Sequence, residues 1–260
     1  MADYILARKS RNIASTMVHI FLNLLLGVGS VLITVLSGSP VLGIILVLVS
    51  KWRVFAVRAR YFMLNLKSNL VDLIVGISIV LLAYYAGPSL LPVDFILMAV
   101  YSIWLLVIKP LSSEYATLIQ SLFAVFLGIS AITIMTADLN SVAITLLAFL
   151  IGYAASRHVL SQSSDREFTL TTLVCGLVFA EIAWLCHSWD IIYTFGDTGI
   201  RIPQLAIILT IFAFVYNYVR QSMIKYQDDF RFKHILGPVV FGVVLIGIIV
   251  IWFSNPIFNI

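Results

Sequence analysis

The amino-acid sequence predicts an all-α integral membrane protein, a single bundle of about nine transmembrane helices. Of its 260 residues, 62% are hydrophobic and only 11% are charged, whereas soluble domains are about half apolar and about a quarter charged. The apolar residues form continuous blocks near the length of a bilayer crossing, about 20 residues. Because the blocks do not alternate polar and apolar residues, helices are favoured over a membrane barrel.

Turn residues divide the chain into nine apolar blocks, and each block predicts one span. Clusters such as Ser37 to Pro40 and Gly87 to Ser89 mark the breaks, because glycine, proline and serine favour turns. The predicted spans are 13–36, 40–57, 70–87, 93–108, 116–135, 142–155, 169–189, 202–219 and 235–253. No linker separates them, so residues 1–260 are predicted to form one integral membrane domain.

The positions of lysine and arginine predict the orientation of the spans. Counted loop by loop, all but one of the 16 basic residues fall on one side of the alternating spans, and Arg201 alone falls on the other. Cytoplasmic loops of membrane proteins are enriched in Lys and Arg, so the basic side is expected to be cytoplasmic. The N-terminus is then inside and the C-terminus outside, in a multi-pass membrane protein.

The second predicted span is the least regular, because only residues 41–49 are uniformly apolar before Lys51. Either Lys51 reaches the inner interface from a full span, or residues 13–50 form a tight helical hairpin and residues 51–66 form an amphipathic helix on the inner surface. We favour the second interpretation, and both keep the same topology. The segment 51–66 interleaves basic and aromatic residues, as interfacial helices do. Its candidate contacts with anionic lipid head groups are Lys51, Arg53, Arg58 and Arg60.

Glu181 is the clearest charged residue inside a predicted span. It lies well inside span 169–189, roughly 18 Å from the inner end at about 1.5 Å per residue. A charge in the membrane costs about 2.5–3.5 kcal/mol on insertion scales, so it requires a partner or a function. Two interpretations are open: a proton or cation site, or a hydrogen bond that holds two helices together.

A second candidate polar site is predicted near the inner ends of the spans. His19 and Asn23 lie four residues apart on one face of the first span. Asn69 and Asp72 lie three residues apart at the start of the third. Residues at these spacings share a helix face, so we expect either a pocket open to the cytoplasm or hydrogen bonds between helices.

Motifs of known catalytic chemistry are missing from the sequence. It contains no phosphate-binding loop, zinc-binding helix or nucleophile elbow. Cys175 and Cys186 lie in one predicted helix, about 16 Å apart, which is too far for a disulfide. We therefore predict no catalytic residue, cofactor or metal site. The basic residues follow the inner loops, so the net charge of +4 reflects topology rather than nucleic-acid binding.

One stretch carries a resemblance to other proteins. The segment SKWRVFAVRARYFMLNLKSNLVDLIVG, residues 50–76, resembles uncharacterised polytopic membrane proteins of reduced-genome candidate-phylum bacteria. The segment covers about a tenth of the chain. The resemblance implies a bacterial source, and therefore a location in the bacterial cytoplasmic membrane, and it implies no particular activity.

Three functional classes remain open from the sequence. A small transporter or permease-like bundle, with Glu181 in its path and His19 and Asp72 near the inner mouth, is favoured slightly by the intramembrane carboxylate. The alternative is a non-catalytic scaffold or assembly subunit that binds a membrane protein partner or a second copy of the chain. A lipid-modifying enzyme is least favoured, because the acidic residues of the inner loops show no known catalytic spacing.

Overall fold

The computed structural model describes residues 2–135, 139–161, 168–187, 191–226 and 231–252. Within these ranges the chain is almost entirely helical, and the all-α prediction is confirmed. The ends of two predicted spans, at 188–189 and 253, lie outside the described residues.

Eleven α-helices and one short hairpin make up the described part of the chain. The helices are α1 (Ala2–Ser37), α2 (Pro40–Ser50), α3 (Trp52–Phe55), α4 (Ala59–Ser68), α5 (Leu70–Ala86), α6 (Pro92–Ile103), α7 (Glu114–Ile134), α8 (Ser141–Leu160), α9 (Phe168–Cys186), α10 (Gln204–Lys225) and α11 (Lys233–Trp252). A π-helical turn, Trp104–Ile108, continues α6. The strands are β1 (Ile192–Thr194) and β2 (Arg201–Pro203). Every predicted span overlaps at least one helix.

Six helices in the described ranges are long and apolar enough to cross a membrane, which fits a multi-pass membrane protein. They are Ser15–Ser37, Glu114–Ile134, Ser141–Leu160, Phe168–Cys186, Gln204–Lys225 and Lys233–Ile251. The pair Arg60–Ser68 and Leu70–Ala86, bent by 61°, raises the number to seven if it forms one span. Helix α2 has 11 residues, which reach only about 16 Å of a hydrocarbon core about 30 Å thick.

Polar residues in the turns cap three of the helices, and one of them, Ser39, belongs to a turn cluster named in the sequence analysis. Ser39 caps α2 by accepting a hydrogen bond from the Val41 amide, and Pro40 occupies the first turn. Ser113 caps α7 and Asn140 caps α8, each accepting from a backbone amide of the first turn. These caps satisfy amides that have no partner inside the helix.

Helix α7 lies at the centre of the bundle, because both hydrophobic clusters include its side chains. The first cluster joins α1, α2, α5 and α6 to α7 through residues such as Val75 and Ala124. The second joins α8, α9 and α10 to α7 through residues such as Ile129 and Phe179. Large apolar side chains stay exposed on the outside, notably along α11, as expected where lipid is the solvent.

Helices α8 and α9 pack closely because of a glycine. A Cβ atom at Gly152 would lie 2.5 Å from the Phe179 ring, so only a residue without a side chain lets the two helices approach this far. Small residues at helix contacts serve the same purpose throughout membrane bundles.

The hairpin between α9 and α10 was not predicted from the sequence. Strands β1 and β2 pair antiparallel, with Tyr193 opposite Ile202. A 3-10 turn, Gly196–Thr198, and Gly199 with φ +77° connect them. Three residues per strand are too few to show a period-two pattern in the sequence.

Candidate functional site

Asp72, in the first turn of α5, is the centre of a buried polar site. Its Oδ2 atom accepts hydrogen bonds from the ammonium groups of Lys51 and of Lys109, the latter at 2.7 Å. Its Oδ1 atom accepts a bond from the indole Nε1 of Trp104 at 3.0 Å. We call these four residues the charged cluster.

Three interruptions of the helices meet at the charged cluster. Lys51 ends α2 and begins α3, so it stands at a break between helices. The bend between α4 and α5 falls at Asn69, one turn before Asp72. The π-helical turn Trp104–Ile108 supplies Trp104 at its start and Lys109 at its end. π-Helical turns are rare and often occur at functional sites.

The two lysines of the charged cluster differ sharply in exposure. The side chains of Lys51 and Asp72 are only 4% and 10% exposed, whereas that of Lys109 is 44% exposed. Removing an ion pair from water costs several kcal/mol per ion unless the partners compensate each other. Lys51 and Asp72 therefore form the buried neutral pair, and Lys109 brings a surplus positive charge to the surface.

A second layer of hydrogen bonds holds the π-helical turn in place. Gln120, buried on α7, donates from Nε2 to the carbonyl oxygens of Ile108 at 2.6 Å and Leu111 at 2.9 Å. Its Oε1 atom lies 2.6 Å from Nε2 of His158 on α8. The carbonyls at a helix end lack partners within the helix, so Gln120 and His158 tie this end of the helix to α7 and α8.

Tyr101 lies one turn from the charged cluster, toward the middle of the bundle. It is fully buried, and its hydroxyl has no hydrogen-bond partner among the described residues. The hydroxyl faces Gly76, where an added Cβ would lie 2.7 Å away. Buried hydroxyls are nearly always paired, so this hydroxyl is an unusual polar group in the apolar interior next to the charged cluster.

The structure does not join Asp72 to the other residues of the predicted inner site. His19 is exposed on α1 and Asn23 is half-buried, and no hydrogen bond of the described residues connects either of them to Asp72. Asn69 bonds locally to the Asn65 carbonyl. The partners of Asp72 come instead from the ends of α2 and of the π-helical turn.

Glu181 is exposed on the outer surface of α9. The buried face of this helix carries Cys175, Phe179 and Ala183, at a helical spacing that leaves position 181 on the opposite side. No described hydrogen bond or ion pair involves Glu181. Its carboxylate therefore neither lines a described cavity nor lies between two described helices.

Lys51 is separated from the residues with which the sequence grouped it. It was expected at lipid head groups together with Arg53, Arg58 and Arg60, and those three are exposed. Lys51 is buried instead, because the break after α2 turns its ammonium group toward Asp72. The structure thus divides the predicted set into one internal cation and three surface cations.

Residues 51–66 form two short helices rather than one amphipathic helix. Arg58 has an extended backbone with ψ 141°, which ends the first segment and begins α4. The side-chain amide of Asn65 on α4 donates a hydrogen bond to the Val54 carbonyl on α3 at 2.9 Å, and this bond holds the two short helices together. We find no feature of the sequence that explains the break.

Sequence reasoning missed Trp104 and Lys109, which were assigned to a span and to a loop. The available signal was a single lysine at the end of an apolar block, with a tryptophan one π-helical turn before it. Among the described residues no group of three or more His, Cys, Asp or Glu side chains is placed to hold a metal ion.

The charged cluster and the surrounding fold define the chain as a helical membrane protein with an internal ion-pair site. No protein-family model, curated protein or solved structure matches the chain.

Proposed function

We propose that the chain is a small transporter, a permease-like bundle in which the charged cluster closes the cytoplasmic end. The observation that carries the proposal is the meeting of three helix interruptions at the buried carboxylate of Asp72. Transporters place broken helices at their substrate and ion sites, and ionisable residues within membrane bundles mark transport pathways.

The unequal exposure of the two lysines supports the idea that the charged cluster acts as a gate, which opens toward the cytoplasm. Lys51 and Asp72 form a buried pair, whereas the Lys109 side chain already reaches the surface. Breaking the contact between Lys109 and Asp72 frees the end of the π-helical turn without leaving a buried charge unpaired. In this mechanism Lys109 moves and Lys51 stays.

The proposed topology has nine spans, of which α2 covers only about half of the bilayer thickness, with the N-terminus in the bacterial cytoplasm and the C-terminus outside. The distribution of lysine and arginine supports it, as does the overlap of every predicted span with a helix. The 61° bend between α4 and α5 favours α4 lying along the inner surface. There Arg53, Arg58 and Arg60 are exposed and would contact anionic lipid head groups.

A scaffold or assembly subunit is the second candidate function, and Glu181 favours it. A carboxylate exposed within a helix long enough to cross the membrane is costly in lipid. A hydrogen-bond donor from a second copy or from another membrane protein would remove that cost. The two candidates differ in which carboxylate matters, Asp72 or Glu181.

Thiol labelling tests the gate. Ser121 is fully buried on α7, next to Gln120, and its hydroxyl has no hydrogen-bond partner among the described residues. Ser121→Cys, made in a chain with Cys175→Ser and Cys186→Ser, reports access by a membrane-impermeant maleimide. In inside-out vesicles Asp72→Asn should raise the labelling rate about tenfold or more, because breaking a buried pair costs several kcal/mol.

Asp94→Asn is the matched control. Asp94 is also a buried aspartate, but it caps the opposite end of the bundle, at the start of α6. It should leave labelling from the cytoplasmic side unchanged. A folded Asp72→Asn protein that labels no faster than the Asp94→Asn protein would contradict the gate.

A further inference from the structure

A cavity of about 230 Å³ lies at the opposite end of α5, α6 and α7 from the charged cluster. Its walls are mostly apolar. They include Leu82, Tyr85, Leu97, Val100, Phe123 and Phe126. The hairpin covers one side through the segment 199–202. Ligand pockets usually measure about 300–1,000 Å³, so this smaller apolar cavity has room for part of an acyl chain.

Ser130 and Arg201 are two of the polar residues that line this mostly apolar cavity. Ser130 on α7 lines it, is only 3% exposed, and has a hydroxyl with no hydrogen-bond partner among the described residues. Arg201 on β2 lines it as well and is exposed. A buried hydroxyl without a partner is unusual, and in this position it is free to bond a polar atom of a ligand.

The hairpin holds Arg201 in a defined place at the cavity. Arg201 pairs with Thr194 in the strand register. Gly199 rests against α6 and the turn before it, where an added Cβ would lie 2.9 Å from both Leu91 and Val93. The chain therefore requires glycine there to seat the hairpin, and this seating sets the arginine at the rim.

Arg201 also departs from the charge pattern of the chain. In the proposed topology it is the single lysine or arginine on the outer side. The bias of basic residues toward the cytoplasm disfavours that position, so a local role for the guanidinium is expected. Arginine binds phosphate through two parallel hydrogen bonds.

We propose that this cavity binds an anionic phospholipid of the outer leaflet. Part of one acyl chain fills the apolar cavity, the ester oxygens approach the Ser130 hydroxyl, and the phosphate contacts Arg201. The positive charge of Arg201 favours an anionic head group, and the apolar lining of the cavity favours the acyl chain. This inference rests on the proposed topology, which puts Arg201 on the outer side, but not on the gate, because the lipid binds whether or not the charged cluster opens.

Photocrosslinking tests the site directly. The full chain is placed in nanodiscs containing phosphatidylglycerol with a diazirine in one acyl chain, and the crosslinked peptides are identified after irradiation. We expect crosslinks on α7 between Phe123 and Ile134. Arg201→Gln should reduce their yield severalfold, and Arg201→Lys should reduce it less, because lysine keeps the positive charge but cannot form the two parallel hydrogen bonds.

A second variant tests the apolar part of the site. Ala86 lines the cavity at the end of α5, and Ala86→Phe should fill it and abolish the same crosslinks with Arg201 intact. A diazirine-labelled phosphatidylcholine should crosslink less than the phosphatidylglycerol. If the two lipids crosslinked equally, and if Arg201→Gln reduced neither yield, the cavity would be filled by any lipid and the proposal would be overturned. Crosslinks confined to peptides outside the cavity would also overturn it.

The lipid test and the gate test fail independently. If Ser121→Cys labelling shows no gate but the crosslinks depend on Arg201, the lipid site stands without the transporter. If Asp72→Asn speeds the labelling of Ser121→Cys but the crosslinking yield is the same in Arg201→Gln, only the lipid site is contradicted.

Discussion

Lys109 Nζ lies 2.7 Å from Asp72 Oδ2, and Lys51 donates to the same oxygen from the buried side. One carboxylate thus connects a cation in the interior with a cation at the surface. A buried pair becomes strongly destabilising when one partner is removed, whereas an exposed pair contributes little. The two lysines are therefore expected to respond differently to mutation.

Asp72→Asn should lower the free energy of unfolding by roughly 3–5 kcal/mol, because it leaves Lys51 buried without a counter-ion. Lys109→Gln should cost no more than about 1 kcal/mol, since its side chain is half exposed and already solvated. Unfolding of the purified protein in mixed micelles, followed by circular dichroism, measures both values. Equal losses would contradict the division into a buried and an exposed pair.

The double variant Lys51→Met, Asp72→Leu is the control for the Asp72→Asn experiment. It removes both buried charges, so it should be more stable than Asp72→Asn alone. If the double variant were less stable than the single one, the buried pair would not explain the loss.

Gln120→Leu should destabilise the chain by about 1–3 kcal/mol, because its amide no longer pairs with two backbone carbonyls at the end of the π-helical turn. His158→Phe leaves these two bonds in place and should cost less. The same unfolding measurement separates them. If His158→Phe cost as much as Gln120→Leu, the histidine rather than the carbonyl contacts would hold the turn.

Gly152→Ala should destabilise the packing of α8 on α9, since its Cβ would lie 2.5 Å from the Phe179 ring. Overpacking a core typically costs about 1–3 kcal/mol. Gly247→Ala on α11 is the matched control, because nothing lies within 4 Å of an added Cβ there. It should be neutral or slightly stabilising. A similar loss in both variants would show that α8 and α9 do not approach as closely as described.

The variant Glu181→Gln distinguishes the two candidate functions, transporter and scaffold. The exposed side chain lies far from the partners of Asp72, so labelling of Ser121→Cys should stay unchanged in this variant. Light scattering after size-exclusion chromatography reports the oligomeric state. Loss of an oligomer in Glu181→Gln would favour the scaffold, and faster labelling of Ser121→Cys would contradict the role given to Asp72.

The helices could be predicted from the sequence because their signal is local. Apolar blocks and turn residues follow one another along the chain, and caps such as Ser39 and Asn140 begin helices in the structure. The short hairpin lacks such a signal, because three-residue strands show no periodicity. The end of α2 at Ser50 agrees with the favoured of the two sequence interpretations, because the uniformly apolar run stops just before Lys51. The division of residues 51–66 into two helices was not predicted.

The candidate site could be predicted only in part, because it depends on contacts between distant helices. Asp72 was identified from its place in an apolar block, but the sequence does not show that Lys51 and Lys109 meet there. Glu181 appeared more significant than Asp72, since a weak amphipathic pattern in α9 leaves its buried face undefined. Packing alone distinguishes an internal carboxylate from an external one.

The cytoplasmic labelling rate of Ser121→Cys, compared between Asp72→Asn and Asp72→Glu, tests the gate most directly. Both variants change the same side chain, but only the glutamate keeps the negative charge that holds the two lysines. The account predicts rapid labelling in Asp72→Asn and slow, near-native labelling in Asp72→Glu. Equal rates in the two folded proteins would show that the charge at position 72 does not close the cytoplasmic end.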